Sequence, residues 1–157
     1  MNLTKNGLTI EVPDTEVMNL VLERLASNSP AAPRLNEYWH DQGGIFVGTV
    51  LGIDGWRNYH LILGPECEDE LNHSDGMKYA AGLEVEGHKD FTLPNRREQR
   101  FLYCNGHGYF KLRFHWSCEP HPVIPDYAFG QNFDDGNQSS NHKPYKYPVR
   151  TVRRVWL

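Results

Sequence analysis

The sequence predicts an α+β domain of short antiparallel strands, two short helices and long structured loops. Aromatic residues make up 12% of the chain and come with 14 Gly and 10 Pro. Many turns beside many aromatics suit short strands and ordered loops, not a helical bundle. Period-two alternation recurs in several short runs, whereas few segments carry a helical stripe. The size, 157 residues with 39% hydrophobic and 23% charged, is that of one ordinary domain with a small appendage. Such a chain buries about two-thirds of its unfolded surface and needs no metal or disulfide to fold.

Residues 7–12 alternate, with Leu8, Ile10 and Val12 against Thr9 and Glu11, as a strand with one buried face does. Asp14 or Thr15 can cap a following helix, and Val17, Val21 and Leu25 form its stripe as far as about Ser27. Residues 28–33, Asn-Ser-Pro-Ala-Ala-Pro, read as a linker. Residues 1–33 are therefore expected to be a strand-helix docking segment. Its apolar stripe calls for cover by the main domain or by another copy, and a dimer or trimer is expected.

The main domain spans residues 34–157. Gly43-Gly44 leads into a buried strand through Ile45 to Leu51, Asp54-Gly55 marks a turn, and residues 59–63 return beside it. Residues 66–70 read as a solvated acidic loop and residues 77–83 as a short helix ending near Gly82. Asn95 followed by Glu98 has the spacing of a capping box and starts a second helix that Asn105-Gly106 ends. Strands are expected over residues 110–116, near 127–133 and over 149–156, with Asp134-Asp135-Gly136-Asn137 as a hairpin turn.

Charge and composition exclude several functions. Lys plus Arg is 16 against 20 for Asp plus Glu, a net charge of −4, which predicts no general attraction to nucleic acid or anionic membrane. No apolar run approaches the length of a membrane helix. The first residues lack an apolar signal core, and Cys67, Cys104 and Cys118 are an odd set. Both features predict a reduced, cytoplasmic setting.

Four segments in the second half come in order: TLPNRREQRFLYCN (92–105), HWSCE (115–119), YAFGQNFDDGNQ (127–138) and YPVRTVRRV (147–155). They resemble the C-terminal domain of the Legionella collagen-like protein, a family known as a domain of unknown function. Residues 34–64 resemble the opening of its short phage and prophage members. Asn95 stands where threonine is usual, Cys118 where the family has serine, and His115 where an aromatic is common. The resemblance implies a C-type-lectin-like fold: a twisted antiparallel sheet, two short helices and long loops. It also implies phage or prophage origin, and no particular activity.

Candidate chemistry is sparse. The eight His are scattered, without the i, i+4 spacing of zinc proteases, and the cysteines lack zinc-finger spacing, so no metal or cofactor is expected. The outside alternative is a metal-dependent enzyme, for which His107, His115 and His121 with Cys104 and Cys118 are the candidate ligands. Ser117 or Cys118 near His115 is the one local nucleophile candidate, and it lacks the remaining parts of a catalytic site. Calcium-dependent sugar binding finds partial echoes in Glu119-Pro120-His121 and Asn132-Phe133-Asp134, with too few oxygen ligands. The arginines of the last strand alternate between faces, and are expected to pair with acids and lie over aromatics.

What remains is recognition. The late loops, rich in Asn, Ser, His, Tyr and Pro, have the composition of adaptable binding surfaces. Glu119, Tyr127, Gln131, Asp134, Asn137 and Tyr145 are the nominated binding residues, while Trp116 and Phe133 are assigned to the core. The sequence therefore predicts a non-catalytic phage or prophage accessory protein. Its expected partner is a protein in the infected bacterial cell, a host defence or regulatory factor. The alternative is a virion receptor-binding or decoration protein that recognises a cell-surface glycan or protein.

Overall fold

The computed structural model describes residues 2–5, 8–11, 19, 31–53 and 55–157. The chain divides into two compact units, Met1–Ala31 and Ala32–Leu157. In the first, strand β1 (Asn2–Lys5) pairs antiparallel with β2 (Leu8–Glu11), Leu3 opposite Ile10. The alternation had predicted β2 alone; one of its edges is occupied by β1. The helix expected from Asp14 to Ser27 lies, apart from Asn19, outside the described residues.

The second unit carries two antiparallel sheets and two α-helices. Strands β3 (Tyr38–Trp39), β4 (Gly44–Val50), β5 (Tyr59–Glu66) and β9 (Arg150–Trp156) form one sheet in that order. Strands β6 (Phe114–Pro120), β7 (Tyr127–Asn132) and β8 (Gln138–His142) form the other. Helix α1 spans His73–Ala81, helix α2 spans Arg96–Asn105, and a 3-10 turn covers His107–Tyr109.

The β4–β5 pairing has a register shift between Phe46 and Gly48. Before it, Val47 points into the main core and Phe46 to the opposite face with Trp39 and Ile62; after it, Val50 points into the main core. One extra residue thus reverses the alternation, as a bulge does. The main core joins Leu61, Leu63 and Val152 of this sheet to Leu102 of α2 and to Phe110 and Phe133. A second cluster joins Phe114, Trp116 and Ala128 to Ala80 of α1, Leu93 and Val149.

Helix α2 begins as the spacing predicted. The Asn95 side chain accepts from Glu98 N at 2.8 Å, and a Glu98 carboxylate oxygen accepts from Asn95 N at 2.9 Å. Helix α1 begins earlier than the stripe at Met77 suggested. Asn72 caps it by accepting from Asp75 N, so His-Ser-Asp-Gly, which reads as a turn, is its first turn. Gly76 there lies against Val149, 2.8 Å from where a Cβ would stand. Close packing, not a turn, explains that glycine. Glu66, expected in a solvated loop, ends β5 and forms ion pairs with Lys111 and Arg150.

His115 is enclosed by the rings of Phe110 and Phe133, and its Nδ1–H donates to Arg113 O at 2.9 Å. Burial pushes its pKa from 6.5 down to about 4. Between those values the unfolded chain binds a proton there and the folded chain does not, so stability falls as pH drops through this window. Urea denaturation of wild type is expected to lose up to about 3 kcal/mol from this group by pH 4. His115→Phe is expected to show a visibly shallower pH dependence. Some slope remains, because burial lowers His73 as well. Equal slopes in the two proteins would refute the assignment.

Candidate functional site

The six nominated residues do not form one surface. Gln131 is buried, and its Nε2 donates to Gly136 O at 2.7 Å, which holds the β7–β8 turn from inside. It lies beneath α2 because it sits opposite His115 across the β6–β7 pair. Its nomination is therefore corrected: it is a structural residue. Glu119 is half-buried and accepts from Arg96 N at 2.6 Å, closing the first turn of α2. Asn137 donates twice to the Asp135 carboxylate, and the Asp134 amide donates to the Asn132 side chain. These bonds, with Gly136 at φ +81° over the Tyr103 ring, build the turn after β7. The side chains of Asp134 and Asn137 are exposed there.

Tyr127 and Tyr145 lie at the other end of β7, about 17 Å away for five strand steps. They flank His142, with ring centroids 5.6 and 5.8 Å from it. The neighbouring loop adds Val123 and Ile124, which the sequence reading missed. Val123 is 79% exposed and Tyr145 58%. The loop is held by its backbone amides and carbonyls: the His121 ring Nδ1 accepts from the Val123 and Ile124 amides, and Lys143 N donates to Asp126 O at 2.8 Å. An apolar pair set between Pro122 and Pro125 was the available signal. Of the other aromatics in loop-rich sequence, Trp39 is core and Tyr147 packs against the Trp116 cluster, whereas Trp56 is exposed.

The nucleophile candidates are engaged elsewhere. Ser117 Oγ donates to Phe129 O at 2.7 Å, and the His115 ring is packed between phenylalanines. Burial pushes the Cys118 thiol up to about 11, the reverse of an activated thiolate. Among the described residues no three His, Cys, Asp or Glu gather as a metal-ligand group. The calcium echoes are used locally, Glu119 on the helix and Asn132 within its turn.

The last-strand arginines pair as expected. Arg153 binds Asp90 at 2.6 Å, Arg150 lies near Glu66 and the Tyr109 ring, and Arg154 binds Glu98 through Nε and Nη2 at 2.6 and 2.9 Å. Glu98 is fully buried and also accepts from Tyr59 OH at 2.7 Å. Burial, followed by the Glu98 charge, pushes the Tyr59 phenol up to about 12.

Beside this network opens a cleft of about 410 Å³, lined among others by Trp56, Arg57, Tyr59, Arg97, Arg154 and Trp156. A narrower slot of about 240 Å³ runs between Trp56, Arg57 and Trp156. No pattern in the sequence joins Trp56 to Trp156, which lies 100 positions on. In comparisons with known proteins, no family model matches the chain and no curated protein matches it, so the family resemblance rests on the four motifs and on residues 34–64.

Proposed function

We propose that the protein is a non-catalytic binding protein of phage or prophage origin with a C-type-lectin-like fold. In this reading it acts in the infected bacterial cell on a protein partner, a host defence or regulatory factor, and assembles as a homo-oligomer through its N-terminal unit. The fold reading is supported by the order of the four motifs and by an α+β unit of two antiparallel sheets and two helices. The non-catalytic reading is supported by the engagement of Ser117, His115 and Cys118 in packing and structural bonds.

One observation carries the binding reading: Val123, Ile124, Tyr127 and Tyr145 come together at one end of the β6–β7–β8 sheet, on loops tied by their backbone amides and carbonyls. Apolar and aromatic groups presented on a rigid scaffold make contact at low entropic cost. Tyr145→Ala is expected to melt within a few degrees of wild type and to weaken partner capture from infected-cell lysate at least tenfold, since an aromatic anchor is worth about 2 kcal/mol or more. Asp134→Ala, at the far turn, is expected to capture normally. Normal capture by Tyr145→Ala together with loss in Asp134→Ala would move the site to the other end of the sheet.

A further inference from the structure

Five arginines gather around the first half of α2 and the β4–β5 loop: Arg57, Arg96, Arg97, Arg100 and Arg154. Glu98 neutralises Arg154, and the guanidinium groups of Arg96, Arg97 and Arg100 have no carboxylate within ion-pair distance among the described residues. Arg57 Nε donates to Leu157 O at 2.7 Å, and Arg97 Nη2 to Leu51 O at 2.6 Å. The Arg97 bond is to a neutral carbonyl and holds its guanidinium in place without a carboxylate partner among the described residues. Three other arginines, Arg113, Arg150 and Arg153, have carboxylate partners. In a protein of net charge −4, a local cationic cleft is a feature that binding of an anion would explain.

The same cleft carries the chain's two exposed indoles. Trp56 is 76% exposed and Trp156 is 46% exposed, while Trp39 and Trp116 are buried. The slot is lined by Trp56, Arg57 and Trp156, whose side chains carry flat π surfaces. Such surfaces receive a planar ring by stacking. The adjoining cleft, within the size range of small-molecule sites, sets Arg97 and Arg57 around the space next to that slot.

We propose that this cleft binds a nucleotide, with the base in the Trp56–Arg57–Trp156 slot and the phosphate on Arg97. A base with its phosphate could come as a free nucleotide or as the end of a single strand. The free nucleotide is favoured, because the net negative charge opposes a long polyanion and Glu119 stands in the groove that continues past Arg96 and Arg100. This proposal shares no residue with the protein-binding face and does not depend on it.

The test is titration of the full chain with AMP and ATP, read by tryptophan fluorescence and by calorimetry. Only Trp56 and Trp156 are open to a ligand, so quenching reports on the cleft directly. Saturable quenching is expected, about tenfold or more weaker in Arg97→Ala, whose exposed side chain can be removed without loss of melting temperature. Trp56→Ala is expected to weaken binding similarly, and Trp56→Phe to restore most of it. Ribose 5-phosphate, which lacks the base, is expected to bind at least tenfold more weakly than AMP. Absence of saturable binding by either nucleotide, or equal binding of ribose 5-phosphate, overturns the proposal. A ten-nucleotide single strand that binds more than tenfold tighter than ATP overturns the assignment to free nucleotide.

Discussion

Glu98→Gln is expected to lose about 3–5 kcal/mol of stability, because it removes the charge from the most heavily used carboxylate in the described structure. Glu98 is 0% exposed. Its two oxygens accept from Asn95 N, Tyr59 OH and the Nε and Nη2 of Arg154. Burial alone would disfavour a charged Arg154, and the bonds and charge of Glu98 outweigh it, leaving the guanidinium more firmly protonated than usual. Removing the carboxylate charge strands a half-buried cation and also puts a donating amide among donors. Tyr59→Phe, which removes one hydrogen bond and keeps the ring, is expected to cost only about 1 kcal/mol. The double variant Glu98→Gln with Arg154→Met is expected to cost less than the sum of the two single changes, since the stranded cation is gone. Chemical denaturation of the four proteins checks this. A loss below 1 kcal/mol for Glu98→Gln, or strict additivity in the double variant, would sink the account.

Trp116→Ala is expected to lose about 3–5 kcal/mol. The indole is fully buried between α1 and the β6–β7–β8 sheet. It meets Phe114, Tyr147 and His73 edge-on at 5.2 to 5.3 Å between centroids, and its Nε1–H donates to Leu71 O at 3.0 Å. Truncation opens a cavity that no neighbour can fill, because the ring is held from three elements at once. Trp116→Phe retains much of the packing and removes one of the two donors to Leu71 O, the Tyr147 amide remaining, so about 1–3 kcal/mol is expected. Both variants lose the same hydrogen bond, so thermal or urea unfolding that finds the phenylalanine variant no more stable than the alanine variant would refute the packed-volume account.

These two sites share a cause with the proposed surfaces. Glu98 and Asn95 fix the start of α2, and Arg154 and Trp156 lie on one face of β9. The cleft therefore borders the Glu98–Tyr59–Arg154 network, whereas Tyr127 and Tyr145 stand at the end of the other sheet. A rigid support under exposed indoles lowers the entropy lost on binding.

Local spacing by itself determined much of this protein. The Asn95–Glu98 box, the β4–β5 hairpin, the alternation of β9, the turn at Asp134 to Asn137 and the core placement of Trp116 and Phe133 all follow from contacts between residues close in sequence or from a period of two. The pairing of last-strand arginines with acids and aromatics was legible as a class, because an arginine half-buried in a sheet needs a counter-charge. Which acid each one meets was not. Glu98 finds Arg154 at a separation of 56 residues, and Tyr59 finds Glu98 at 39. Those meetings depend on β9 lying beside β5 and on α2 packing across both sheets, and no short-range pattern specifies strand order. The bulge after Phe46 is hidden for the same reason, since only the partner strand shows that a residue is extra. The binding residues were the hardest to place. Gln131 was nominated for its polarity, and the register that sets it opposite His115 beneath α2 buries it. Trp56 and Trp156 gained a shared slot only when the β5–β9 pairing carried the end of the chain back to the β4–β5 loop.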